Sequence, residues 1–163
     1  MGQANRVGIV VGSRSDIAAA EKAAAVLEEL GVESETRVIS AHRAPDLLAS
    51  WVASASDRGI AVFIAIAGLA AHLPGVVASQ TTLPVVGVPM AGGVSDGLDA
   101  LLAIVQMPKG VPVATVGVGN GENAGLLAAQ ILAVGDPELR GRLVARRAAQ
   151  AKAIEEDPAN EGL

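Results

Sequence analysis

Three short polar clusters contain the residue types that could do acid–base and phosphate chemistry, and each follows an apolar, strand-like run. The chain has two histidines, His42 and His72, and they stand in two of these clusters. Imidazole has an unperturbed pKa of roughly 6.5, so either ring could donate a proton and later accept one near neutral pH. The third cluster, residues 12–16, follows the first strand-like run. Because ligands of open α/β sheets bind at the carboxyl ends of the strands, the clusters together predict one composite pocket.

The first cluster consists of Gly12, Ser13, Arg14, Ser15 and Asp16 and stands before a predicted helix. A helix N-terminus offers free backbone N–H groups and a partial positive charge, which favour a phosphate. Gly12 would let the backbone come close, and the two hydroxyls would add donors. Asp16 suits sugar hydroxyls beside the phosphate better than the phosphate itself. The alternative interpretation is a simple N-cap, in which Ser15 or Asp16 caps the helix.

The second cluster is Ser40-Ala41-His42-Arg43. Arg43 could hold a phosphate with two parallel hydrogen bonds, which would place His42 beside the reacting part of the ligand. The alternative is a surface loop in which His42 only hydrogen-bonds the backbone.

The third cluster, residues 67–75, is almost entirely small and apolar apart from His72. Such a loop leaves room for a flat ring or a small neutral gas molecule and keeps water out. His72 could orient a group there. Alternatively, His72 caps a helix or packs at a contact between subunits.

The elements that must position these clusters alternate between strand and helix. Strands are predicted at 7–11, 33–39, 62–66, 84–88 and 112–116. Helices are predicted at 17–30, 45–57, 74–80, 98–105, 123–134 and 137–156, with frayed residues after the last one. This order predicts a single α/β domain over 1–163: a three-layer α/β/α sandwich with a parallel, flavodoxin-like sheet of about five strands. Its core would span 7–135, and the C-terminal helix would pack on a neighbouring subunit.

Composition excludes several functional classes. Hydrophobic residues make up 51% of the chain but aromatic residues only 1%, so base-stacking surfaces for nucleic acid are not expected. The net charge of −5 gives no general attraction to polyanions. Disulfides and thiolate metal sites are excluded because the chain has no cysteine. The longest apolar stretch, 60–71, is too short to cross a membrane, and residues 1–6 form neither a signal peptide nor an anchor. We therefore expect a cytoplasmic protein.

Seven ordered segments carry a resemblance to a known family. They are GSRSD (12–16), SAHRAP (40–45), AAHLPG (70–75), PVVGVP (84–89), SDGLDALL (95–102), IVQMP (104–108) and NAGLLAAQ (123–130). The sequence resembles the class I N5-carboxyaminoimidazole ribonucleotide mutases, the catalytic subunit of phosphoribosylaminoimidazole carboxylase. The segments run in family order from residue 7 to about 150, so together they are far more specific than any one motif.

The resemblance implies a flavodoxin-like fold, a homo-octamer with sites between subunits, and an isomerase of de novo purine biosynthesis. Such an enzyme moves a carboxylate from the exocyclic nitrogen of N5-carboxyaminoimidazole ribonucleotide to C4 of the ring. It uses no cofactor, metal or ATP, and it would be linked functionally to the ATP-dependent synthetase of its substrate.

The resemblance also assigns roles to residues. His42 would be the general acid and base, and His72 would assist it. Ser13 and Arg43 would hold the 5′-phosphate, and Asp16 the ribose hydroxyls. The full set of expected substrate-binding residues is Gly12, Ser13, Ser15, Asp16, Ser40, Arg43, Gly68, Ala70, Ala71 and Leu73.

Three alternatives remain open at this point. A class II enzyme, a lyase, would carboxylate aminoimidazole ribonucleotide directly with CO2. A nucleotide- or flavin-binding module, or a receiver domain, could share the topology, since fold does not give function. A paralogue with another substrate is the third, because Ile66 and Leu69 stand where the family usually has glycine.

Overall fold

Within residues 6–161, five parallel strands form one sheet in the order β2-β1-β3-β4-β5. The computed structural model describes residues 6–161. The strands are β1 (Arg6–Val11), β2 (Ser34–Val38), β3 (Ile60–Ala67), β4 (Val85–Pro89) and β5 (Ala114–Thr115). Because all pairings are parallel, the carboxyl ends of the strands lie along one edge of the sheet. The expectation that no signal peptide or anchor occupies the N-terminus falls mostly on residues 1–5, which lie outside the described part.

Helices cover both faces of the sheet. They are α1 (Ile17–Glu29), α2 (Pro45–Ala53), α3 (Leu73–Ser79), α4 (Leu98–Val105), α5 (Gly121–Leu132) and α6 (Pro137–Glu155), with 3-10 turns at Arg14–Asp16, Ser56–Arg58, Val94–Asp96 and Pro158–Asn160. One apolar core lies between the sheet and α1 and α5, and the other between the sheet and α2, α3 and α4. This arrangement confirms the predicted three-layer, flavodoxin-like sandwich. No helix within residues 6–161 has the length and apolar character needed to span a bilayer.

Successive side chains of β3 alternate between the two faces of the sheet and so contribute to both apolar cores. Val62, Ile64 and Ile66 pack on the α1 and α5 side, and Phe63 and Ala65 pack on the opposite side. Successive side chains of a strand point to opposite faces, so a strand covered on both faces reads as a continuous apolar run. The five residues are fully buried, as expected for the central region of a parallel sheet.

Helices α1 and α5 touch backbone to backbone. Gly121 and Gly125, one turn apart on α5, face Ala19 and Ala23 of α1. A Cβ atom on residue 125 would lie 2.7 Å from the carbonyl oxygen of Ala23, and one on residue 121 would overlap the carbonyl oxygen of Ala19. Small residues at this crossing therefore set how closely α5 approaches the first turns of α1.

Helix α6 is held by arginines in its middle rather than by a buried face. Leu139 is its buried residue. Arg142 donates from Nε to the carbonyl oxygen of Leu30 at 2.8 Å. Arg146 lies 2.8 Å from Glu122 and 3.2 Å from Glu29, and its hydrogen bond to Glu122 is the main cause that raises the pKa of its guanidinium. The packing of α6 on a neighbouring subunit stays a prediction.

The prediction that the second helix runs to residue 57 is wrong. Helix α2 ends at Ala53, and a 3-10 turn leads to Gly59 at φ 71°. Arg58 reaches back and donates to the Trp51 carbonyl oxygen at 2.8 Å, while its Nε and the Trp51 Nε1 both donate to Glu35 Oε1, at 3.0 and 2.8 Å. This half-buried network replaces the last helical turn.

Most other elements differ from their predicted bounds by one or two residues, and three of the differences from prediction lie in β5, at the start of α5 and after α6. The fifth strand is two residues long, Ala114–Thr115; Pro112, at its predicted start, has no N–H to donate to β4, and Val116 still donates to the Gly87 carbonyl oxygen at 3.1 Å. Helix α5 begins at Gly121 because the Asn120 side chain accepts a hydrogen bond from the Asn123 N–H at 2.9 Å. The segment predicted to be frayed forms the 3-10 turn Pro158–Asn160, capped by Asp157.

Candidate active site

A cavity of about 720 Å³ opens at the carboxyl edge of the sheet, beside β1. In the sheet, β2 lies on one side of β1 and β3 lies on the other side, so the strand order reverses at β1. Open α/β sheets form their ligand crevice at such a switch point. The lining comes from the loops after four strands: Gly12, Ser13, Ser15, Asp16, Ser40, Ala41, His42, Arg43, Ala67, Gly68, Leu69, Ala70, Leu73, Met90 and Ala91.

Most of the site residues predicted from sequence meet in this cavity. Ten of them are in the lining, namely Gly12, Ser13, Ser15, Asp16, Ser40, His42, Arg43, Gly68, Ala70 and Leu73. His72 is not part of the lining but contacts His42, and Ala71 is only 1% exposed and lies behind the wall. Their roles in binding and catalysis stay predictions.

A second groove of about 690 Å³ lies between α5 and α6, but the cavity beside β1 is the better candidate for chemistry. Among the described residues, the groove is lined mostly by apolar side chains, its charged lining residues are Arg140, Arg146 and Arg147, and it has no histidine or carboxylate. The cavity beside β1 instead combines an imidazole, a guanidinium, a carboxylate and hydroxyl groups. Among residues 6–161, no three histidine, aspartate or glutamate side chains converge as metal ligands.

The loop after β1 forms the polar end of the cavity. Ser13 caps the short 3-10 turn by accepting a 3.4 Å hydrogen bond from the Ser15 N–H. Ser15 donates from its hydroxyl to Asp16 Oδ1 at 3.0 Å. The Asp16 side chain makes no capping bond to α1. Asp16 occupies the N-cap position, as the alternative predicted, but its carboxylate does not bond to the helix, and the residue lines the cavity.

Arg43 joins the loops after β1 and β2. Its Nη2 donates to the Gly12 carbonyl oxygen at 3.2 Å, and its Nε donates to Ser40 Oγ at 3.2 Å. Ser40 Oγ also accepts the backbone N–H of Arg43 at 3.3 Å. These bonds hold the guanidinium, which is exposed, beside the loop that begins at Gly12. An anion bound at that loop would meet both backbone N–H groups and a fixed positive charge.

The two histidines form a pair. His42 Nε2 and His72 Nδ1 are 2.9 Å apart, with their rings edge to face at 83°. A hydrogen bond at this distance needs one nitrogen to donate and the other to accept, so the tautomers of the two rings are linked. His72 occupies the N-cap position of α3, but its side chain makes no capping bond. Its ring is therefore available for the hydrogen bond with His42.

The other end of the cavity is apolar. It is formed by Ala67, Gly68 and Leu69 after β3 and by Met90 and Ala91 after β4. A Cβ atom on residue 68 would lie 3.3 Å from the Met90 Cβ, so glycine at 68 lets the two loops meet. This end suits an uncharged group better than an anion.

Ile66 and Leu69 replace glycines that are usual in the family, and of these two residues Leu69 lines the cavity whereas Ile66 does not. Ile66 is fully buried and packs in the core beneath α1 and α5. Leu69 lines the cavity, has a side chain that is 61% exposed and adopts φ 54°. Leu69, Met90 and Ala91 were not predicted as site residues. The signal for Met90 and Ala91 was their position directly after β4, at the same edge as the other clusters.

Two carboxylates shape the loop after β4. Asp96 Oδ1 accepts the Gly92 N–H at 3.1 Å, and Asp99 Oδ2 accepts the Val94 N–H at 3.2 Å. Ser95 and Asp96 have positive φ angles, at 47° and 52°. The loop is therefore held in a conformation that brings Met90 and Ala91 to the cavity.

Comparisons with known proteins agree on one family. The AIR carboxylase family model matches residues 6–153. A Mycobacterium tuberculosis protein named N5-carboxyaminoimidazole ribonucleotide mutase is 54% identical over 144 residues, which cover 88% of this chain and 83% of that protein. The Vibrio cholerae protein of the same name is 49% identical over 154 residues, covering 93% and 96%. The crystal structure of Treponema denticola PurE superimposes with a TM-score of 0.87 at 30% identity, covering 97% of this chain and 99% of that one.

Proposed function

Because the chain belongs to the AIR carboxylase family, we propose that it converts N5-carboxyaminoimidazole ribonucleotide into 4-carboxy-5-aminoimidazole ribonucleotide in purine biosynthesis. It is a mutase, an isomerase-type enzyme, like the relatives at about half identity whose names carry this activity. The observation that carries the proposal is the His42–His72 pair, 2.9 Å apart, beside a cavity with a cationic end and an apolar end.

The 5′-phosphate binds at the loop after β1. Its oxygens accept hydrogen bonds from the Ser13 hydroxyl, the backbone of this loop and the Arg43 guanidinium, which is already oriented by Ser40 and Gly12. Asp16 accepts hydrogen bonds from the ribose hydroxyls. The aminoimidazole then lies toward Gly68 and Ala70, at the apolar end and within reach of His42.

His42 transfers the protons. It first protonates the carbamate nitrogen, the N–C bond breaks, and the carboxylate leaves as CO2. The freed aminoimidazole is an enamine whose C4 carbon attacks that CO2. His42 then removes the C4 proton, and the ring regains its aromaticity. One imidazole can do both steps because the ring that has given its proton to the carbamate nitrogen is then able to accept the C4 proton, and His72 holds the ring in place throughout.

Capture of CO2 is efficient only if CO2 stays beside C4. A closed, apolar pocket makes the second step effectively unimolecular and keeps water away from the intermediates. The small side chains after β3 leave room for CO2. In the single chain, however, His42 and Arg43 are exposed and the cavity is open to solvent.

Further copies of the chain would supply the missing walls. Leu98, Leu102 and Val105 are each 45–50% exposed along one side of α4, and Val134 and Val144 are 79% and 66% exposed beside the groove between α5 and α6. Apolar surfaces of this kind mark interfaces between proteins. The assembly is a homo-octamer, and light scattering coupled to size-exclusion chromatography tests it. A monomeric, fully active enzyme would contradict this assignment.

Two further statements stay predictions. The enzyme works downstream of the ATP-dependent synthetase that carboxylates the exocyclic nitrogen of aminoimidazole ribonucleotide. It also acts in the cytoplasm, together with that synthetase.

The proposed function is tested by supplying N5-carboxyaminoimidazole ribonucleotide to the purified enzyme without ATP or bicarbonate. We expect rapid formation of the C4-carboxylated product. Formation only from aminoimidazole ribonucleotide and CO2 would indicate the class II reaction instead. Binding without turnover of either substrate would indicate a nucleotide-binding module.

His42→Asn tests the assigned proton transfer. We expect no measurable conversion, with ribonucleotide affinity and thermal unfolding close to those of the unmodified enzyme, because the exposed ring contributes little to packing. Calorimetric titration with the product measures the affinity. Turnover at the normal rate in this variant would show that another group moves the proton.

A further inference from the structure

Leu69 stands in an unusual backbone conformation at the apolar end of the cavity. Its φ angle is 54°, in the left-handed region where a side chain with a Cβ is disfavoured. Within residues 6–161, Ser95 and Asp96 are the other non-glycine residues with positive φ, and they lie in the loop after β4. All three positions thus belong to the two loops that form this end of the cavity.

Packing in the apolar cores does not explain why a leucine occupies position 69. Its side chain is 61% exposed, and it belongs to neither apolar core. The backbone around it is fixed by two tight hydrogen bonds: the Ala71 N–H donates to the Leu69 carbonyl oxygen and the His72 N–H to the Ala70 carbonyl oxygen, both at 2.8 Å. Glycine or asparagine would adopt this conformation more easily. Strain at a ligand site points to a role for the side chain itself.

The side chain connects the two loops at the rim. Leu69 lines the cavity, and its Cδ2 reaches toward Gly93, where a Cβ atom would lie 2.9 Å from it. Gly93 in turn lies against the Asp99 carboxylate, which holds the loop after β4. An aliphatic side chain thus extends across the gap between the loop after β3 and the loop after β4.

We infer that Leu69 is a CO2-retaining residue: it covers the apolar end of the occupied cavity and prevents loss of CO2 between decarboxylation and recapture. This inference rests on the proposed function. The aminoimidazole ring and CO2 would bury the exposed leucine, and the apolar cover would keep both water and bicarbonate from the gap. The side chain takes no part in proton transfer, so it affects the fate of the intermediate more than its formation.

The reaction chemistry defines which products form if CO2 leaves the cavity before recapture. Cleavage of the carbamate N–C bond, with a proton added to nitrogen, yields aminoimidazole ribonucleotide and CO2. Recapture forms the C4–C bond and releases the C4 proton. If CO2 leaves first, it is hydrated to bicarbonate and a proton, and free aminoimidazole ribonucleotide accumulates. No oxidant or reductant is involved on either route.

Isotope retention tests the inference. Substrate labelled with ¹³C in its carboxylate is incubated with enzyme in unlabelled bicarbonate buffer, and mass spectrometry measures the label in the product and the free aminoimidazole ribonucleotide. The spontaneous loss in an enzyme-free blank is subtracted. We expect Leu69→Gly and Leu69→Asn to release several-fold more aminoimidazole ribonucleotide per product formed than the unmodified enzyme, with lower label retention. Leu69→Met, which keeps an apolar chain, should stay close to the unmodified enzyme.

Two controls separate this role from a folding defect. Glycine and asparagine tolerate positive φ, so both variants should unfold at the same temperature as the unmodified enzyme or higher. Leu47→Ala shortens an aliphatic side chain of similar exposure, 57%, that is not part of the cavity lining, and it should not change label retention. Equal retention in Leu69→Gly and the unmodified enzyme would overturn the inference alone. If the unmodified enzyme makes no product from the labelled substrate, the proposed function fails instead.

Discussion

Replacing Gly125 by alanine tests how closely α1 and α5 approach each other. The new Cβ atom would lie 2.7 Å from the Ala23 carbonyl oxygen, and ordinary contact begins at 3.4 Å, so the two helices must separate by about 0.7 Å. Overpacking of this kind costs about 1–3 kcal/mol. The better helix propensity of alanine offsets about 1 kcal/mol of that cost. We expect a net loss of up to about 2 kcal/mol in the free energy of unfolding.

Two further glycines complete the series. A methyl group on Gly121 would overlap the Ala19 carbonyl oxygen more severely, so Gly121→Ala should destabilise the protein more than Gly125→Ala. It should also weaken ribonucleotide binding, since Ala19 lies in the first turn of α1, next to Asp16. Gly141 on α6 is the matched control, because nothing lies within 4 Å of an added Cβ there. Gly141→Ala should stabilise the protein by about 0.5–1 kcal/mol.

Urea unfolding followed by circular dichroism measures the series. All variants must be compared at one protein concentration, because assembly adds to apparent stability. The expected order of stability is Gly141→Ala, unmodified protein, Gly125→Ala, Gly121→Ala. If Gly125→Ala is as stable as Gly141→Ala, the two helices do not touch through their backbones and the reasoning is wrong.

Three other substitutions test the site and its support. Arg43→Ala should weaken binding of any ligand that carries the 5′-phosphate about 10- to 100-fold by calorimetry, because a hydrogen bond to a charged group contributes about 1.5–3 kcal/mol; unchanged affinity would place the phosphate elsewhere. His72→Asn should lower kcat about tenfold or more through its loss of support for His42, with KM nearly unchanged; a change confined to KM would make His72 a binding residue. Trp51→Phe removes one of the two donors to Glu35 and should cost about 1 kcal/mol in thermal or urea unfolding; unchanged stability would mean that Arg58 alone satisfies this carboxylate.

The parallel sheet could be predicted from sequence because its strands are short, β-branched and buried on both faces. Residues 62–66 read as a continuous apolar run, and the structure buries all of them. Since all parallel strands end at one edge, the clusters at 12–16 and 40–43 could be placed in one pocket without coordinates.

Details that depend on distant contacts could not be predicted. The end of α2 is set by Arg58 reaching back to Trp51 and across to Glu35, and no local pattern around residue 53 encodes that contact. The 2.9 Å approach of His42 and His72, 30 residues apart in sequence, also depends on how the two loops sit on the sheet. The sequence identifies Leu69 as a departure from the family's glycine, but its backbone conformation and its position on the rim depend on the folded loops.

The position of β1 in the sheet bears on how the protein emerges from the ribosome. This strand is synthesised first, yet it pairs on both sides, with β2 and with β3. Helix α1, which covers β1, shares its apolar core with α5, and α5 is complete only after Leu132 has been synthesised. At about 5–20 residues per second, synthesis from the end of β1 to the end of α5 takes roughly 6–24 seconds, and the apolar β1 segment lacks its full set of neighbours for that time. A nascent chain of this topology therefore exposes apolar surface, which favours aggregation, for longer than one whose first hairpin closes on itself.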